Sequence, residues 1–159
     1  FVGIKILKSN LYRHIEWPIV IMLAAMIPIG QALESTGITA LIATEVVSLA
    51  GDLHIFWVLM IILIITMLIT DVINNAATAV IMAPFSVNIA LQLGQPLEPF
   101  LMVVAVGASC AFLTPIGHQC NTLVMGPGNY KFSDYWRLGL PLDILIVLAS
   151  IPMILFVWL

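Results

Sequence analysis

The chain has 159 residues, 62% of them hydrophobic and only 8% charged, with a net charge of −3 and a mean hydropathy of +1.17. A soluble domain carries roughly a quarter charged residues, so this chain cannot coat a water-facing surface, and a soluble enzyme or binding domain is excluded. It reads as an all-α integral membrane protein. The two cysteines, Cys110 and Cys120, lie in or beside apolar stretches and read as packed thiols, not as a disulfide or a metal site.

The first residues, FVGIKILKSN, show neither an initiator Met nor a signal peptide, so the chain is expected to be part of a longer protein. Residues 1–16 mix Lys5, Lys8, Arg13, His14 and Glu16 with apolar positions and suit the membrane surface. Residues 17–33 carry no charge; as a helix they rise ~25 Å, enough to cross most of a ~30 Å hydrocarbon core. Pro18 sits in the first turn, and Pro28 and Gly30 loosen the far end. Residues 38–50 are too short to cross, hold Glu45, and read as a short interfacial helix. Two apolar arms follow, 55–70 and 76–93, separated by the polar stretch DVINNAAT, Asp71 to Thr78. A further apolar segment, 99–113, breaks at Thr114-Pro115-Ile116-Gly117-His118-Gln119-Cys120-Asn121. Residues 129–137 read as an interfacial turn, and 138–159 as a last span with Pro141, Asp143 and Pro152. Trp17, Trp57, Tyr130, Tyr135, Trp136 and Trp158 fall near the ends of these elements, as interfacial anchors do.

All basic residues lie before residue 14 or at Lys131 and Arg137. Under the positive-inside rule both regions share the cytoplasmic side. That requires an odd number of crossings over 17–33 and over 55–128, and it argues against a crossing by 38–50. It leaves open whether 55–93 crosses twice or enters and turns back.

Both polar breaks interrupt apolar helices. Irregular backbone at membrane depth survives only inside protein or along a watery cavity, and polar residues there mark substrate or ion pathways. Two broken helices meeting near the midplane is how many secondary transporters build their sites. A helix starting after Asn75 aims N–H groups at an anion, and an arm ending at Thr70 aims carbonyls at a cation. Sodium needs oxygen ligands, and the dense set at depth is at these breaks: the candidate cation ligands are Asp71, Asn75, Thr78, Leu113 and Pro115. No Lys or Arg occurs between residues 14 and 130, so an anion must be held by helix ends, amides and a co-bound cation.

The order TDVINNAATA, then an arm with Met82-Ala83-Pro84, then ASCAFLTPIGHQCNTLVMGPG, resembles the C-terminal half of the divalent anion:sodium symporter family over residues 17–159. The resemblance implies a re-entrant helical hairpin, a broken helix, and one half of an inverted-repeat transporter. It places Asn74-Asn75-Ala76 at the hairpin tip and Thr114-Pro115 at the break, as the substrate-binding residues. The family's Ser-Asn-Thr tip becomes Asn-Asn-Ala here, so the Asn is kept at Asn75 and both hydroxyls are missing. The loop Ile116 to Asn121 resembles the sulfate and general permease branch, with Gly117, His118 and Asn121 as supporting residues.

The expected function is sodium-coupled symport of a divalent anion, sulfate or a di- or tricarboxylate, by alternating access in the plasma (inner) membrane. Residues 53–128 would form the moving part, and 17–52 and 138–159 the scaffold. Expected partners are the small anion, sodium, lipid, an N-terminal half with an inverted copy of the site, and a second copy in a homodimer; no nucleic acid and no cofactor is expected. A proton in place of sodium stays open. Asp71 could instead cap the following turn, His118 could be a hydrogen-bonded loop histidine, and Asp143 could face protein or the interface. The rival functions are a cation/proton antiporter using Asp71, a membrane enzyme, and a structural subunit.

Overall fold

The structure, a computed structural model, describes residues 54–159 and isolated positions between 21 and 45. The surface segment 1–16 and most of 17–33 and 38–50 lie outside the described residues. Within 54–159 there are five helices: α1 (Ile55–Thr70), α2 (Asn75–Gln92), α3 (Leu97–Ala108), α4 (Gln119–Met125) and α5 (Phe132–Trp158). Among the described residues there is no strand.

α1 begins where His54 Nδ1 accepts the Phe56 N–H at 3.3 Å. One face, with Leu59, Ile62, Leu63, Thr66 and Thr70, is buried, while Ile61, Ile64, Ile65 and Leu68 are exposed on the other. A helix apolar all round suits lipid or further protein, not water. Four residues, 71–74, lead into α2, whose N-cap Asn74 accepts the Ala77 N–H through Oδ1 at 2.8 Å. α2 carries Pro84 in its interior. It closes with Gly94 at φ +62°, while the Gln95 N–H bonds Ala90 O at 3.0 Å and the Gly94 N–H bonds Leu91 O at 3.2 Å. This pairing satisfies the last carbonyls, and glycine adopts the left-handed backbone at no steric cost.

α3 packs against both α1 and α2, more extensively than those two pack on each other. Phe100, at 0% exposure, fills the space between them together with Leu59, Leu63, Ile89 and Val103. Two small or polar contacts set the spacing. A Cβ on Gly107 would stand 2.8 Å from Thr66 Cβ, so α1 and α3 approach closely at that point. The buried Ser86 hydroxyl of α2 donates to Phe100 O at 3.0 Å.

α5 is the one helix among the described residues long and apolar enough to cross a membrane alone; α1 and α3 are apolar but shorter. It packs on α3 and α1 and leaves Leu145, Leu148, Met153 and Phe156 exposed.

Some boundaries differ from the sequence reading. Residues 132–137, expected as part of an interfacial turn, are the first turns of α5. The Asp134 carboxylate accepts the Lys131 N–H at 2.8 Å, and this cap starts the helix inside the polar stretch. The apolar segment expected over 99–113 begins at Leu97 and stops being helical after Ala108, well before Thr114-Pro115. Tertiary partners take its backbone groups: Thr70 approaches Ala108 O, Asn121 donates to Ala111 O, and Leu113 N–H turns to Asp71. The proline lies inside the break, which runs on to His118, and is not its cause; Gln119 to Asn121, expected in the break, already belong to α4.

Candidate functional site

The two polar breaks meet. Asp71, 4% exposed at the C-terminus of α1, accepts the Leu113 N–H through Oδ1 at 3.0 Å. Its backbone carbonyl accepts the Thr114 hydroxyl at 2.6 Å. One residue of the first break therefore grips two consecutive residues of the second. The Asp71 carboxylate does not cap its own turn, the alternative its position suggested; it is a crosslink between segments 42 residues apart. Asp71 Oδ2 is buried with no partner among the described residues.

Beside this crosslink lies a cluster of oxygens. Thr70 Oγ1 is 3.0 Å from Asn75 Oδ1 and 3.0 Å from Ala108 O. A hydroxyl has one proton and serves one acceptor at a time. Three oxygens are thus in contact around a single hydrogen, where the carbonyl ends of α1 and α3 converge. Such a group suits a cation, because helix C-termini carry partial negative charge. Asn75 also opens α2, so its other neighbour is the donor-rich helix N-terminus, where Ala76, half-buried, stands next in line. Thr78, fully buried one turn into α2, has a hydroxyl without a partner among the described residues.

The second break is built from its own side chains. Thr114 Oγ1 accepts the Gly117 N–H at 3.1 Å and the Ile116 N–H at 3.3 Å. The Asn121 amide donates from Nδ2 to Ala111 O at 2.8 Å and to Thr114 O at 3.1 Å, closing the turn from behind. Thr122 donates to the carbonyl of buried Pro115 at 2.6 Å. Gly117 is needed for close approach: a Cβ there would stand 2.9 Å from Ala111 Cβ, 3.0 Å from Thr70 O and 3.1 Å from Asp71 Cα. His118 is exposed and caps α4, its Nδ1 accepting the Cys120 N–H at 3.2 Å.

The structure thus brings Asp71, Asn75, Leu113, Thr114, Gly117 and Asn121 to one junction, with Asn74 serving as the cap of α2 and His118 as the cap of α4. It adds two groups that the sequence reading did not single out, the Thr70 hydroxyl and Gly139, and it places Asp143, which that reading set against protein or the interface. Thr70 is the centre of the oxygen cluster; its signal was a hydroxyl at the last position of an apolar arm. Gly139 of α5 is seated on the second break, where a Cβ would stand 2.4 Å from Phe112 O. Asp143, one turn further on, is 7% exposed, with Oδ1 unpartnered among the described residues. It lines an apolar cavity of about 270 Å³ with Met67, Leu113, Leu140 and Val147.

A helical protein whose chain breaks converge on backbone and amide oxygens has the parts of a membrane transporter, and comparison with known proteins agrees. The citrate transporter family matches residues 2–107. An uncharacterized transporter of Escherichia coli is 40% identical over 146 residues, covering 92% of this chain and 24% of the relative. One from Synechocystis is 36% identical over 150 residues, covering 94% and 24%. A sodium/sulfate cotransporter (number 2) of Chlamydomonas reinhardtii is 28% identical over 139 residues, covering 87% and 16%. The chain belongs to the citrate transporter family, consistent with the resemblance to divalent anion:sodium symporters, and is a membrane protein. It spans about a quarter of the length of the bacterial relatives named here.

Proposed function

We propose that the chain is the C-terminal half-site of a sodium-coupled divalent anion symporter working by alternating access. The observation that carries this reading is the junction of the two breaks: Asp71 bonded to Leu113 and Thr114, beside the Thr70–Asn75–Ala108 oxygen cluster. Sodium would sit among oxygens of Asp71, Asn75, Thr78, Leu113 and Pro115, with Thr70 added from the geometry. The anion would sit against the N-terminus of α2, at Asn74, Asn75 and Ala76, and against Thr114-Pro115. Each ion lowers the cost of holding the other in apolar surroundings, and that mutual dependence is the coupling.

In this reading α1 and α2 are the arms of a re-entrant hairpin in a multi-pass protein of the plasma membrane. The N-terminal half supplies an inverted copy, and two copies form a dimer. Residues 53–128 are the moving part. The seat of Gly139 on Phe112 and the packing of α5 on α1 and α3 support moving α5 with them, rather than placing 138–159 in the scaffold; 17–52 remains there.

Sulfate is the preferred substrate class. The Chlamydomonas relatives named sodium/sulfate cotransporters support it, and so does the tip. Asn-Asn-Ala offers N–H donors but no hydroxyls and no Arg fork to select a planar carboxylate, which suits a compact tetrahedral dianion. The antiporter reading would use Asp71 Oδ2, which is buried without a partner among the described residues. The test is uptake of labelled sulfate, succinate and citrate by the full-length protein in proteoliposomes, with sodium or choline outside. Sodium-dependent sulfate uptake is expected. Anion uptake indifferent to sodium, or cation exchange driven by a pH gradient with no anion, would overturn the proposal.

A further inference from the structure

α4 buries none of its seven residues fully, so packing does not fix its position. Hydrogen bonds do. Besides the Thr122–Pro115 and Asn121 bonds, the Tyr135 hydroxyl of α5 donates to the Asn121 backbone carbonyl at 2.7 Å. Tyr135 and Gly139 are four residues apart and share a face of α5. Through that face α5 holds the second break at two points: Gly139 against Phe112, and Tyr135 against α4. A cavity of about 280 Å³, lined by Asn121, Val124, Tyr130, Tyr135 and Gly139, lies alongside. α4 has room to shift there once the Tyr135 bond is gone.

The bonds run in an unbroken series. Tyr135 holds Asn121; the Asn121 amide holds the carbonyls of Ala111 and Thr114; the Thr114 hydroxyl holds Asp71 O. We propose that Tyr135 is a positioning residue for the ion site, setting the shape of the Thr114-Pro115 turn through Asn121 from outside the site. The inference rests on the symporter reading above.

Tyr135→Phe in the full-length transporter removes one hydrogen bond and keeps the ring. In proteoliposomes it should raise the sodium concentration for half-maximal uptake about three- to tenfold, the scale of one net hydrogen bond, with maximal rate and melting temperature nearly unchanged. Tyr130→Phe is the control: its ring stacks edge-on against Tyr135 at 6.2 Å, but its hydroxyl makes no hydrogen bond among the described residues, so it should leave sodium dependence alone. In Asn121→Ala the series is already cut, so adding Tyr135→Phe should have little further effect on sodium affinity, a non-additive pair. A purely structural Tyr135 would lower the melting temperature or maximal rate and leave sodium affinity untouched, and that result overturns the inference. So does additive behaviour with Asn121→Ala. If wild-type uptake ignores sodium, the symporter reading falls and this inference with it; if wild type is sodium-dependent and Tyr135→Phe matches it, only the inference falls.

Discussion

Asp71 and Asp143 are both buried carboxyl groups in apolar surroundings, 4% and 7% exposed. Asp71 has an N–H aimed at it from Leu113 and a Thr114 hydroxyl on its own carbonyl. Asp143 has aliphatic side chains around a cavity, and its Oδ1 meets no donor among the described residues. Burying a carboxyl group is costly unless hydrogen bonds replace water. At Asp71 the Leu113 N–H of the second break compensates Oδ1, so the bond that serves the carboxyl also joins the two breaks, while Oδ2 is buried without a partner among the described residues. At Asp143 the described residues supply no such compensation for Oδ1, so its carboxyl is not built into the junction.

The comparison breaks most sharply at Asp71. Asp71→Ala leaves the Leu113 N–H without its acceptor, and the crosslink is reduced to the Thr114 hydroxyl on the backbone carbonyl of residue 71. The expected cost is about 1–3 kcal/mol of stability, the scale of leaving one buried N–H without its acceptor, with uptake falling at least about tenfold. Melting temperature in detergent and uptake in proteoliposomes check both. Asp71→Asn keeps an acceptor oxygen and should recover most of the stability. If Asp71→Ala melts like wild type, the carboxylate is not the crosslink described here.

Asp143 should respond in the opposite sense and by less. Replacing it with Leu removes an unpartnered polar oxygen and extends the apolar lining of the cavity. Stability should be unchanged or rise by up to about 1–2 kcal/mol. Thermal melting of the full-length Asp143→Leu protein is the measurement. A loss as large as that of Asp71→Ala would show that Asp143 has a hydrogen-bonding partner in the rest of the protein.

The contrast also shows what could be read from the residues alone. The arms α1 and α2 were legible because charge-free apolar runs bracket Asp71 to Asn74. Asp71, Asn75, Thr114 and Asn121 were legible as site candidates because amides, hydroxyls and a carboxyl are anomalous between such runs. The end of α3 was not legible, because it depends on partners as distant as Thr70, 38 residues from Ala108. The start of α5 was hidden by polarity that serves as a helix cap at Asp134. Tyr135 reads as an interfacial aromatic and Gly139 as a small residue in a span. Their contacts to Asn121 and Phe112 exist only once α5 folds back on the break.

The central claim is that the meeting of the two breaks forms the sodium site. Asn75 tests it most directly, since it belongs to the oxygen cluster and opens the helix that faces the anion. Sodium titration of uptake by Asn75→Ala, at saturating anion, should show the half-saturating sodium concentration raised about tenfold or more, the loss of one charge-assisted ligand. Unchanged sodium dependence, with anion affinity alone reduced, would contradict the account and leave Asn75 as a substrate contact only.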